Sequence, residues 1–425
     1  MQRIHIFLNV LMVFSMSVIL ACSGSSGSKT DSSGGTGTLS LNLVDASIET
    51  LKAVYVTIDT VKVHIASTSD DDIDDGNESN ELNADVSLKT RHTKKTGSEN
   101  GDASSGWQIV ASPSKKTYNL LELVNGTMEK LGATELSAGH YSQIRLILGD
   151  TPDSEKNIND ENHPYANYIV TESLAYHELK VPSGYQSGIK LVHGFDLEDG
   201  QNLELVLDFD ASKSVVQAGK SGTYLLKPTI KIINQEKSGA IQGTISDSGD
   251  PPLSLENVSV SAQTSDPADL DALNQVIVNG STFSDADGAF KLLLESGSYT
   301  LVAYKNGYVI FCQNITVESG KTIQQDIALT TDDAGSGTLS GTITMASGND
   351  EDDVALSIRQ TAICSENSEM IETASVQISN GGAFSVSLAP GTYEIVASGD
   401  GLATKTYPGL TITAGTDAAQ DIWFE

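Results

Sequence analysis

Cations, aromatics, cysteine and proline are all scarce in this 425-residue chain. Lys and Arg total 25 against 56 Asp and Glu, a formal net charge of −31. A phosphate-rich partner needs clustered cations, so nucleic acid is excluded as the expected partner. Three cysteines are too few for a disulfide scaffold. Cys312 and Cys364 fall at unmatched positions of two different C-terminal repeats, so they read as two buried free thiols. Past residue 22 no stretch approaches the length of about 18 apolar residues that a membrane-spanning helix needs. There is no Gly-x-Ser-x-Gly elbow, phosphate loop, His-x-His or His-Glu-x-x-His, so neither a reaction nor a zinc site is legible. What is abundant is apolar residues (39%) together with Gly, Ser, Thr and Asp, enough for packed cores with many turns.

Residues 1–22 read as an export signal: Arg3, an apolar run from Ile6 to Leu20, then Ile19-Leu20-Ala21-Cys22. This ending resembles the lipobox of bacterial lipoproteins. The resemblance implies a thioether-linked diacylglycerol on Cys22, cleavage before it and acylation of the new amino terminus. Acyl chains supply about 0.8 kcal/mol per buried methylene, which anchors a protein stably without a spanning helix. Ser23 after the cysteine resembles the outer-membrane sorting choice, facing the periplasm or the cell surface. Residues 23–37 form a Gly/Ser tether reaching roughly 20 Å as a random coil.

From there the pattern is that of strands. Leu39, Leu41 and Leu43 alternate, as do Val54, Val56 and Ile58, followed by Val61, Val63 and Ile65 in the opposite phase. The phase change predicts a β-bulge near Asp59-Thr60. Similar runs continue to Ile232, with one short helix expected over 120–131. Residues 38–235 are therefore expected to form an antiparallel β-sandwich or barrel. Residues 66–106 interrupt it with 10 acids and 4 Lys or Arg, and read as a long mobile loop.

The chain then repeats itself. Gly243-Thr244-Ile245, Gly288-Ala289-Phe290 and Gly297-Ser298-Tyr299 return as Gly341-Thr342-Ile343, Gly382-Ala383-Phe384 and Gly391-Thr392-Tyr393. Two tandem β-sandwich modules follow from this, 238–331 and 337–425, the first with an inserted short helix expected over 266–276. The ordered motif set resembles the carboxypeptidase regulatory-like domain, a transthyretin-like sandwich grouped with carbohydrate-binding-like folds. The N-terminal segments Gly37-Thr38-Leu39-Ser40-Leu41, Ala138-Gly139-His140-Tyr141 and Leu207-Asp208-Phe209-Asp210-Ala211 resemble a bacterial lipoprotein family whose domain has no known function. That resemblance implies an exported, lipid-anchored envelope protein and no particular activity. The fold class is all-β throughout.

Site candidates are few. His140, with Tyr141 and Arg145, could form a polar site at a strand start. Asp70, Asp71, Asp72, Asp74 and Asp75 are dense enough to hold Ca²⁺, or are a solvated acidic loop. Asp285-Ala286-Asp287-Gly288 mimics a calcium loop, but its repeat counterpart Ser379-Asn380-Gly381-Gly382 has no carboxylate, so turn formation is the shared property. Tyr304, Tyr308 and Phe311 could stack on sugar rings, although the second module has Ser398 and Leu402 at the positions of the two tyrosines. No cofactor is expected beyond a possible structural calcium. The expected role is a lipid-anchored, non-catalytic envelope protein. Its partners would be the bilayer, through acylated Cys22, and an extracellular glycan or another envelope protein. A pure spacer is the alternative, and a hydrolase on the N-terminal domain a further one.

Overall fold

The computed structural model describes residues 35–46, 51–66, 106–113, 115–181, 188–191, 193–218, 222–346, 352–399 and 401–425. The predicted alternation is realised as buried sheet faces. Leu39, Leu41 and Leu43 of strand Thr36–Ala46 are fully buried. They pack against Val54, Val56, Ile58, Val61 and Val63 of the long strand Leu51–Ile65 and against Leu203, Leu205, Leu207 and Phe209 of Asn202–Asp210. The bulge lies where the phase changes: the pairing of Leu51–Ile65 with Gly139–Leu148 slips between Ile58 and Thr60. The extra residue keeps Ile58 and Val61 on the same inner face.

Two sheets enclose this core. A four-stranded sheet runs Ile230–Asn234, Asn202–Asp210, Thr36–Ala46, Glu129–Ser137, and a ten-stranded one is built around Leu51–Ile65. The domain is not purely antiparallel as expected. Thr36–Ala46 runs parallel to Asn202–Asp210, and Thr223–Leu226 parallel to Tyr176–Lys180. Alternation has the same period in either direction, so the sequence carries no signal of it.

Neither expected helix forms. Over 120–131 only the 3₁₀ turn Leu120–Glu122 appears, because Asn125 and Gly126 take φ of 55° and 77° and end it before strand Glu129–Ser137. In the 266–276 insert, Asp266, Asp269 and Asp271 each accept a hydrogen bond from the backbone N–H two residues on. These local bonds compete with a helix, leaving a 3₁₀ turn at Ala272–Gln275.

The two modules share one topology. In the first, Ala289–Glu295, Ser238–Asp247 and Thr322–Gln324 make one sheet, with Ile327–Leu329 also on Ser238–Asp247, and Val276–Phe283, Ser259–Ser265, Gly297–Tyr304 and Phe311–Val317 make the other. In the second, Ala383–Leu388, Gly337–Met345, Asp417–Ala419 and Ile422–Phe424 face Asn367–Ser379, Asp353–Cys364, Gly391–Gly399 and Lys405–Ile412 in the same order. The motif glycines have a steric reason. A Cβ on Gly243 would meet the Gln325 carbonyl oxygen at 2.0 Å, and on Gly341 the Gln420 carbonyl oxygen at 1.9 Å. Beside each, a threonine clamps the closing strand: Thr244 donates through N and Oγ1 to Asp326 (2.9 and 3.2 Å), Thr342 to Asp421 (2.8 Å each).

All three domains share one further device, a Gly-x-Tyr segment at a strand start. The hydroxyls of Tyr141, Tyr299 and Tyr393 donate at 2.9 Å to the carbonyls of Ser137, Glu295 and Ala389, each four residues upstream. This resembles the tyrosine corner of Greek-key sandwiches, which pins the chain as it enters a strand. Burial pushes all three phenol pKa values up.

Candidate functional site

The residues that the sequence singles out are not gathered into one site. His140 is exposed on its strand and pairs through Nδ1 with Asp196 Oδ1 at 2.8 Å, both side chains more than half exposed. Tyr141 points the opposite way, fully buried in the core. Tyr304 is half-buried where the two modules meet, its hydroxyl accepting from the Ala389 N–H at 3.3 Å. Tyr308 and Phe311 pack against the first module's core, so the three rings do not form one open platform. Asp285 accepts from the N–H groups of Asp287 and Ala289, the work of a turn. Among the described residues no group of three or more His, Cys, Asp or Glu is placed to hold a metal ion. Cys22 and Asp70, Asp71, Asp72, Asp74 and Asp75 lie outside the described residues.

The expectation of two free thiols is overturned. Cys312 and Cys364 form a disulfide between the modules, with Cα atoms 4.7 Å apart. Unmatched repeat positions argue against a bond within either module and say nothing about one between them. Val302, Ala362, Cys364 and Ile371 are buried around it, with Ile310 and Cys312 packed against them.

A second fastening involves all three domains. Arg359 of the second module is 1% exposed. Its guanidinium donates to the Ala272, Leu273 and Val276 carbonyls of the first module at 2.6, 3.2 and 3.2 Å, and to Ser357 Oγ at 2.8 Å. Ser357 in turn donates to Glu372, whose backbone and carbonyl bond the Gln263 amide of the first module. Burial pushes the Glu372 carboxyl up and the Arg359 guanidinium down. Burial also opposes the charge on Lys213 of the N-terminal domain, but Asp210, Glu372 and Asp208 outweigh it and raise its pKa. Lys227 pairs with Asp353, joining the N-terminal domain to the second module. The cavity left here, ≈ 330 Å³, is lined by Lys213, Leu273, Val276, Ile277, Arg359 and Glu372.

The N-terminal domain meets the first module through Val44, Val206 and Ile233, with Met128 and Leu293 packed against them. Lys231 donates to the Asn279 carbonyl across this junction. Asp208 lines a ≈ 250 Å³ cavity there, its carboxyl pushed up to about 6 by burial and by Asp210.

The outer face of Leu51–Ile65 carries two polar regions. At one end Tyr55, His163, Tyr168 and Tyr176 cluster. His163 Nδ1 bonds the Tyr168 hydroxyl at 2.8 Å, and burial pushes its imidazole below the ordinary range, with Asp153 and Glu155 opposing. Tyr55 and Tyr176 spend their hydroxyls on Ile158 N–H and Glu161. The cluster clasps residues 149–167 onto the sheet. At the other end two rows cross the strands. In one row Ile109, Lys62, Arg145 and Lys190 are direct register partners, and in the other Trp107, His64 and Gln143. The Arg145 guanidinium carbon lies 4.4 Å from the Trp107 ring centroid, and its buried Nε has no hydrogen-bond partner among the described residues. Sequence reading missed Lys62, Trp107 and Lys190, because only register brings them together.

Comparison with known proteins agrees with this division. Residues 36–228 match a domain of unknown function, DUF4382. Residues 240–330 and 338–424 each match the carboxypeptidase regulatory-like domain. No curated protein matches the chain. Among solved structures, the Bacillus anthracis TIE protein is 13% identical over 92% of this chain and 51% of its own, with a TM-score of 0.19. A streptococcal ancillary pilin is 10% identical over 92% of this chain and 99% of its own, with a TM-score of 0.19. A leucine-rich repeat protein from Bacteroides thetaiotaomicron is 16% identical over 44% of this chain and 26% of its own, with a TM-score of 0.20. The chain thus spans about half the length of the TIE protein. The chain thus carries a DUF4382 domain followed by two carboxypeptidase regulatory-like modules.

Proposed function

We propose that this is a non-catalytic binding protein of the bacterial cell envelope, anchored to the outer membrane by lipid on Cys22. The observation that carries the reading is the disulfide between the modules. Such bonds form and persist outside the reducing cytosol, which accords with the export signal and lipobox read from residues 1–22. The disulfide, the Arg359 bonds and the Lys227–Asp353 pair fix three sandwiches in one arrangement, and that suits a protein that presents surfaces. The buried polar groups at the junctions are engaged in holding domains together. The His140–Asp196 pair is exposed and has no further hydrogen-bonded partner that would make it an activated nucleophile site among the described residues. The ligand class is an extracellular glycan or an envelope protein. Calcium at Asp70 to Asp75 remains an accessory proposal, tested by calorimetry with calcium alone.

Labelling cells with radioactive palmitate tests the anchor. Label is expected on the wild-type protein in the outer-membrane fraction and not on Cys22→Ser; an unlabelled wild type ends the reading. Turnover of ester, glycoside or peptide substrates that disappears in His140→Ala would instead establish the hydrolase. A protein that retains no glycan and captures no envelope component is a spacer.

A further inference from the structure

We infer that the outer face of the N-terminal domain's ten-stranded sheet binds an anionic polysaccharide, one bearing carboxylate or sulfate groups. This rests on the envelope reading and names the partner class for it. Lys62, Arg145 and Lys190 occupy directly opposite positions on three adjacent strands, Leu51–Ile65, Gly139–Leu148 and Ile189–Leu191. Like charges directly opposite one another destabilise a sheet. The chain has 56 carboxylates available to neutralise them. Yet none of the three cations makes an ion pair with a described residue. Among the described residues the row has no neutralising partner, and a negatively charged ligand would supply one.

The neighbouring groups narrow the ligand. The Arg145 guanidinium carbon lies over the Trp107 indole, 4.4 Å from its centroid, which restrains the group, and its buried Nε has no hydrogen-bond partner among the described residues. A held guanidinium presents paired donors matched to a carboxylate or sulfate. His64 sits against the same indole at 5.0 Å, and Ile109 beside Lys62 is 47% exposed. Aromatic and apolar surface among cations fits a sugar ring, which offers apolar faces and polar edges together. Adjacent strands lie about 4.8 Å apart, so the row meets a chain of repeating charges rather than a single ion. The net charge of −31 does not forbid this, because salt screens carboxylates beyond about 8 Å while contacts in the row act directly.

The test uses the full mature chain carrying Trp423→Phe, which leaves Trp107 as the one indole. Polygalacturonate supplies carboxylate, dextran sulfate supplies sulfate, and neutral dextran is the control. Binding to at least one charged polymer, with a shift in Trp107 fluorescence and weakening as salt rises, is expected. Arg145→Gln should bind roughly tenfold more weakly, and Lys62→Gln with Lys190→Gln should flatten the salt dependence, with a melting temperature held or raised as the like-charge repulsion is relieved. Several outcomes overturn the inference: no binding to either charged polymer, equal binding by dextran, binding indifferent to these substitutions, or binding to phosphatidylglycerol vesicles in preference to the polymers. Such a failure, with palmitate labelling of Cys22 intact, leaves the envelope reading standing.

Discussion

The two C-terminal modules are the same sandwich built twice, and they part company at one hairpin. In the first module the paired strands Ser259–Ser265 and Val276–Phe283 have 7 and 8 residues; in the second, Asp353–Cys364 and Asn367–Ser379 have 12 and 13. The added length carries Ala362, Cys364 and Ile371 onto Val302 and Cys312 of the first module. The same strands place Arg359 against the Ala272 to Val276 carbonyls. What the modules share closes each sandwich, and what the second alone possesses joins it to its neighbours.

That contrast can be broken by substitution. Closing a 52-residue separation, the disulfide contributes about 4 kcal/mol on a chain-entropy basis. Cys312→Ala with Cys364→Ala should lower the denaturant midpoint accordingly, and an unchanged midpoint under oxidising conditions would show that the hairpin packs without it. Next come the shared glycines: Gly243→Ala and Gly341→Ala each force a backbone carbonyl aside and should cost about 1–3 kcal/mol. Near-equal losses by calorimetry would confirm that the two closures are equivalent, and a loss in one alone would refute it. Tyr299→Phe and Tyr393→Phe each give up one hydrogen bond, about 1 kcal/mol, and Tyr141→Phe should match them if the N-terminal domain uses the same device.

A pH-dependent effect distinguishes the junctions. Asp208 has its carboxyl raised to about 6, chiefly by burial, with Lys231 and Lys213 opposing. A folded-state pKa above the unfolded value means that the native protein holds the proton more tightly. Its contribution is therefore present below about pH 4 and is lost as pH rises through about 6. Asp208→Asn should remove that part of the stability–pH curve between pH 4 and 6; a curve of unchanged slope there would assign the dependence to other groups.

Much of this architecture was legible beforehand because its causes are local. Alternation around Leu39–Leu43 and Val54–Val63 follows from the pleat, and the bulge at Asp59-Thr60 from a change of phase that the pleat cannot otherwise absorb. The helices expected over 120–131 and 266–276 failed for reasons also local, left-handed Asn125-Gly126 and aspartates bonding their own backbone. The candidate site was scarcely legible. His140 and Arg145 were visible as residues, but Lys62, Trp107 and Lys190 became neighbours of Arg145 only through register and contact, His140 pairs with Asp196 away from them, and Tyr304 turned out to be covered by the second module.

The amino-acid order by itself determined the strand pattern and the repeat, because each depends on the period of the pleat or on a short motif. Only the tertiary structure decided the parallel pairing of the first strand, the bond between Cys312 and Cys364, and the row of cations across three strands. Each of these needs two segments far apart in the chain to arrive side by side, and packing over the whole core selects which segments meet.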